Sequence, residues 1–184
     1  MIERLKKAPP TLLFALTGLA FYFSQLALSL ELTAAAAYIS GVSYEALIVS
    51  VSIGTILFAA LIAKLLIYLS FRIGVAIFSR KSGMLYPFPI TYGDYVKTTL
   101  VFACLCLIVC GVLGIPDLFF PTLTRVSSAI RSVVIWLTLA LIVRYFLKHN
   151  ANDYDKKALA FSLGVIPLVL VGLTVVLTIV EVVR

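Results

Sequence analysis

The single histidine of this 184-residue chain, His149, stands in the stretch YFLKHNANDYDKK, beside Asn150, Asn152, Asp153 and Asp155. Imidazole, carboxylate and amide oxygen gathered so closely are a donor set for a metal ion. The spacing argues against one. Asp153, Tyr154 and Asp155 lack the glycine and glutamate at the offsets an EF-hand loop requires. The same residues suit a short turn that ends one helix and caps the next, and the turn is the better reading. Cys104, Cys106 and Cys110 are the other candidate ligands. They fall inside one apolar run, with no CxxC pair and no histidine nearby in sequence, and read as small packing residues rather than a redox or metal centre.

Further chemistry is excluded by what the apolar runs lack. They hold no histidine for haem and no Asp or Glu at mid-depth for a proton relay, Glu181 standing at the extreme end of the last run. No GxxxxGK[ST], GxSxG or HExxH motif occurs. The expectation is a protein that is not an enzyme, with no metal and no cofactor.

The elements that carry these residues follow from composition. The chain is 62% apolar and 12% charged, with a mean hydropathy of +1.14. A soluble domain is about half apolar and about a quarter charged, so the solvent here is lipid. The expected fold is all-α: one membrane-embedded domain over 1–184, a polytopic bundle of five spans at about 11–30, 46–69, 98–115, 129–147 and 158–180. Each run is apolar on all sides, and none shows the ~10-residue alternation of a membrane β-barrel. Pro9 and Pro10 precede the first run, and Pro116 stops the third. The basic start followed by an apolar stretch resembles a signal peptide, but 11–30 exceeds the usual ~7–15-residue apolar region and reads as an uncleaved span.

Charge gives the orientation. With a cytoplasmic N-terminus, Arg4, Lys6, Lys7, Arg72, Arg80, Lys81, Lys97, Arg144, Lys148, Lys156 and Lys157 are inside. Only Arg125, Arg131 and Arg184 are outside, and the 31–45 loop holds Glu31 and Glu45 with no base. The net charge of +7 therefore reports topology and anionic lipid, not nucleic acid. A multi-pass protein of the cytoplasmic membrane, the inner membrane in a bacterium, is expected.

The stretch 46–79 would be about 51 Å long as one helix, too long for a single crossing. We expect a span over 46–69, then a segment at 70–81 that lies in the cytoplasmic interface or extends the helix beyond it. Lys64 falls one to two turns from the cytoplasmic end. Its stem can carry the ammonium to the headgroups, and no acidic residue stands at comparable depth to pair with it, so snorkelling outweighs a buried functional charge. Arg131 and Arg144 bracket the fourth span in the same way, with Trp136 and Tyr145 as interfacial anchors. Ser50 with Gly54, and Ala59 with Ala63, repeat at a spacing that lets helices approach closely. Gly164, Pro167 and Gly172 read as a kink in the last span.

The cytoplasmic linker at 82–97 is the most distinctive loop. It holds Tyr86, Pro87, Phe88, Pro89 and Tyr92, and a helix start at Thr91 or Asp94. Such a loop either lies on the headgroups or presents a docking surface, with Tyr86, Pro87, Pro89, Tyr92 and Asp94 as the contact residues.

Five spans, a proline before the first (APPTLLFAL), a linker of the form PITYGDYVKTTLVF entering the third, a basic turn and a last span with proline resemble the Yip-domain family. These are five-span membrane proteins first known as Ypt-interacting factors, with bacterial relatives, and the likeness covers about residues 8–180. The resemblance implies a cytosolic N-terminus and, in the eukaryotic relatives, Golgi traffic and small-GTPase binding. This sequence has only about ten residues before its first span, where those relatives carry a long cytosolic region.

The expected function is therefore a non-enzymatic membrane protein whose bundle and cytoplasmic loops act on partner proteins or on membrane organisation. Its partners would be the bilayer and either another protein or further copies of itself. One alternative is a small transporter, channel or membrane subunit with a polar path near Ser50, Thr55, Lys64 and the Pro167 kink. Another is an immunity-type protein that blocks a pore-forming toxin in the bilayer.

Overall fold

The computed structural model describes residues 5–82, 87–120, 124–150 and 156–164, and among these there is no strand. Tyr86, Asn152, Asp153, Asp155, Pro167 and the last span beyond residue 164 lie outside the described residues.

Helix α1 is Pro10–Ser24. Pro9 is extended before it and Pro10 opens it, where a missing N–H removes no helical bond. A new helix, α2, runs over Leu26–Ser40. The expected straight span at 11–30 is thus broken at Gln25, and Pro10–Ser24 and Ser29–Ser40 meet at 76°. No proline causes the break. The Ser24 hydroxyl donates to Phe21 O at 2.7 Å and the Ser29 hydroxyl to Gln25 O at 3.0 Å. Such bonds flank the break, and they also occur within the unbroken helix that follows, at Ser50, Ser52 and Ser70. The expected 31–45 loop is corrected as well: it is helical as far as Ser40, and Gly41 ends it with φ 68°, which favours glycine.

Helix α3 is Tyr44–Lys81, 38 residues without a break, about 57 Å long. Residues 70–81 simply continue it. Glu45 in its first turn and Arg80 and Lys81 in its last complement the helix dipole. Helix α4, Tyr92–Gly114, starts at Thr91, whose side chain accepts from Asp94 N at 3.3 Å. It ends where Pro116 forces a single 3-10 turn, Ile115–Leu118. Helix α5 is Thr124–Asn150, and residues 156–164 form a further helical segment, α6.

Three helical stretches are long and apolar enough to cross a membrane: Tyr44–Lys81, Tyr92–Leu118 and Val126–Asn150. The bent pair makes up to four if it counts as one span. The described residues are therefore compatible with a multi-pass membrane protein, with fewer crossings among them than the expected five. Helix α1 alone, 15 residues or about 22 Å, falls short of a hydrocarbon core of about 30 Å.

Helix α4 is central, with α1 packed on it and on α3, and α5 on its other side. Two glycines permit the closest approaches. A Cβ at Gly18 would stand 2.5 Å from Ile56 O of α3, and one at Gly111 would run into the Phe23 ring of α1. The hydrophobic core includes Leu13, Ile67, Phe78, Tyr95, Leu100 and Phe146, joined by Leu159 and Leu163 of α6. It gathers the start of α1, the second half of α3, the start of α4 and the end of α5. These are the basic ends of the helices.

Candidate functional site

At that end of the bundle, aromatic rings tie a short loop to three helices. Phe88 packs edge-on against Phe71 at 5.6 Å and Phe78 at 5.4 Å, both on α3. Phe71 in turn meets Tyr92 at 5.2 Å and Tyr95 at 5.4 Å, and Tyr95 stacks on Phe146 of α5 at 5.4 Å. Ring pairs at these separations add to the burial of their faces. The Tyr95 hydroxyl lies 3.0 Å from Ser70 Oγ, so the polar tip of a buried ring has a partner. Ile90 is 3% exposed and anchors the loop a second time.

These anchors leave the other side of the loop facing outward. Pro87, Pro89, Tyr92 and Asp94 are all exposed. Tyr92 keeps one edge on Phe71 and Tyr68, at 5.2 and 6.2 Å, and offers the rest of its ring. The Thr91 hydroxyl donates to Asp94 Oδ2 at 2.9 Å, so the acid closes the helix cap and stays exposed. Four of the five contact residues expected from the sequence are thus exposed beside the Phe88 anchor, Pro87 and Pro89 in the loop and Tyr92 and Asp94 in the first turn of α4. Tyr86, the fifth, lies outside the described residues.

The polar positions proposed for a transport path are placed differently. Ser50, Thr55 and Lys64 all lie on the unbroken α3. At about 100° and 1.5 Å per residue, Thr55 points about 140° away from Ser50 and opposite Lys64, and Lys64 stands about 21 Å from Ser50. The Ser50 hydroxyl is bonded to its own helix at Ala46 O, 2.9 Å away. Lys64 is exposed, and makes no hydrogen bond or ion pair among the described residues. Helix geometry keeps these three groups apart, and Pro167 lies outside the described residues. Among the described residues no helix packs closely on Gly54, which is exposed, and the tight glycine contacts fall at Gly18 and Gly111.

A polar cluster that the sequence reading missed lies at the opposite end, where the 3-10 turn meets the start of α5. Arg131, read from sequence as a depth marker, donates from Nη2 to Asp117 Oδ2 at 2.8 Å. The Ser127 hydroxyl is 3.1 Å from the same oxygen and 3.0 Å from Leu113 O, and can give its one proton to either. Asp117 Oδ1 is buried with no hydrogen-bond partner among the described residues. A signal existed. Asp117 is the one acidic residue between Asp94 and Asp153, and it follows directly on Pro116. Among the described residues no group of three metal-ligating side chains forms.

Comparison of the chain with family models, with curated proteins and with solved structures finds no match.

Proposed function

We propose that this chain is a non-enzymatic, five-span integral membrane protein with a cytoplasmic N-terminus, and that it acts on a partner protein through the loop at 87–94. The observation that supports this most is the division of labour within the loop. Phe88 and Ile90 anchor it, and Pro87, Pro89, Tyr92 and Asp94 stand exposed beside them, the last two in the first turn of α4. Pre-ordered, partly exposed aromatic and proline side chains lose little entropy on binding, which favours recognition. Thr55 faces away from both Ser50 and Lys64 on one helix, which weighs against a transport path through all three.

The test is photo-crosslinking in cells from a reactive residue placed at Pro89 or at Tyr92. A discrete crosslinked protein from these sites, with none from the same probe at lipid-facing Leu57, is the expected result. Equal, diffuse crosslinking from all three sites overturns the reading. Orientation is tested separately by cysteine labelling, in which Ser43→Cys should react from outside and Ser82→Cys from inside. The reverse pattern overturns the topology.

A further inference from the structure

Between α5 and α6 runs an open groove with a volume of about 690 Å³. Its floor is Trp136, Leu139, Ala140, Val143 and Leu147. On a helix these five share a stripe about 100° wide and about 16 Å long. Its mouth holds Arg144 and Lys148 from the last turns of α5, and Lys156 from the first turn of α6. No acidic residue lines it among the described residues. All three cations are exposed and none makes an ion pair among the described residues.

An apolar channel ending in three cations that no acidic side chain meets among the described residues has the polarity of an amphiphile with an anionic head. We propose that the groove is a binding site for one anionic phospholipid. The phosphate would rest among Arg144, Lys148 and Lys156, and an acyl chain would lie along the Trp136–Leu147 stripe. The volume lies in the range that holds a small-molecule ligand, about 300–1,000 Å³. A peptide partner is disfavoured, because the floor offers no polar group to satisfy a backbone. Basic pockets between membrane helices on the cytoplasmic side are a known chemistry for anionic headgroups. The proposal rests on the membrane reading above, since it needs the basic helix ends at a bilayer surface.

The chain carries its own reporter. Trp136 is its single tryptophan and forms part of the floor. The full chain is reconstituted in phosphatidylcholine vesicles and floated on a density gradient. Phosphatidylglycerol or phosphatidylcholine with brominated acyl chains, which quench tryptophan on contact, is then titrated in. Half-maximal quenching by the brominated phosphatidylglycerol is expected at about fivefold lower mole fraction than by the brominated phosphatidylcholine. Arg144→Gln combined with Lys148→Gln should bring the ratio close to one, and Arg72→Gln with Arg80→Gln, on α3 outside the groove, should leave it unchanged. Equal quenching in the unmodified protein overturns the proposal. So does loss of selectivity in the α3 variant, which would mark a general surface potential. A chain that does not float with the vesicles overturns the membrane reading and this site with it, whereas one that floats but shows no selectivity overturns the site alone.

Discussion

Arg131 and Asp117 form an ion pair, 2.8 Å between Nη2 and Oδ2, across the turn that joins α4 to α5. Their side chains are 21% and 6% exposed, so the carboxylate is nearly enclosed. The pair closes the end of the α4–α5 hairpin opposite the aromatic core.

Removing one member should cost more than removing both. Arg131→Met leaves Asp117 buried with an unpaired charge, a loss of about 3 kcal/mol. Asp117→Leu combined with Arg131→Met removes the charge as well and should recover most of that loss. Unfolding of the purified protein in detergent provides the measurement. A double variant as unstable as Arg131→Met would mean that the charge pair is not what holds the turn.

The glycines make an asymmetric pair of predictions. Gly18→Ala forces a methyl against Ile56 O and should destabilise by about 1–3 kcal/mol through overpacking. Gly54→Ala, on an exposed stretch of α3, should be neutral or stabilising by up to about 1 kcal/mol, the helix preference of alanine over glycine. The same unfolding assay reads both, and a larger loss at Gly54 would show that another surface covers it.

The loop anchor can be tested without any partner. Phe88→Ala removes the ring held between Phe71 and Phe78 and should cost the loop about 2 kcal/mol of attachment. Limited proteolysis should then cut between α3 and α4 more than tenfold faster. Tyr95→Phe removes only the hydroxyl beside Ser70 and should cost about 1 kcal/mol. An unchanged cleavage rate for Phe88→Ala would mean that the loop is held by other contacts.

Lys64→Leu should leave membrane insertion and function largely intact, because the lysine is exposed and makes no polar contact among the described residues. Normal expression with abolished function would identify it as a functional charge.

Composition was enough for an all-helical, lipid-compatible chain, because apolar runs of this length have few other homes. Thr91 and Pro116 were legible as the ends of α4, since caps and prolines act locally. The bend at Gln25 was not. Serine hydroxyls bond back to the backbone on both sides of it, but Ser50, Ser52 and Ser70 do the same within the unbroken α3, so residue type alone does not mark the break. The Asp117–Arg131 pair was hidden for another reason: the two residues are adjacent only because α4 and α5 fold back on each other. The exposed side of the 87–94 loop was visible in sequence as a composition. Which of its aromatics face inward depends on where Phe71 and Phe78 stand on a neighbouring helix.

The unbroken length of α3 has a mechanical consequence. A rod of about 57 Å with no hinge transmits angle as displacement: a tilt of about 10° about Tyr44 sweeps the Lys81 end through about 10 Å. Phe71 and Phe78 ride on that arm and carry the loop with them. Any such tilt must therefore take the start of α4 and the end of α5 with it, because Phe71 packs on Tyr92 and Tyr95, and Tyr95 on Phe146.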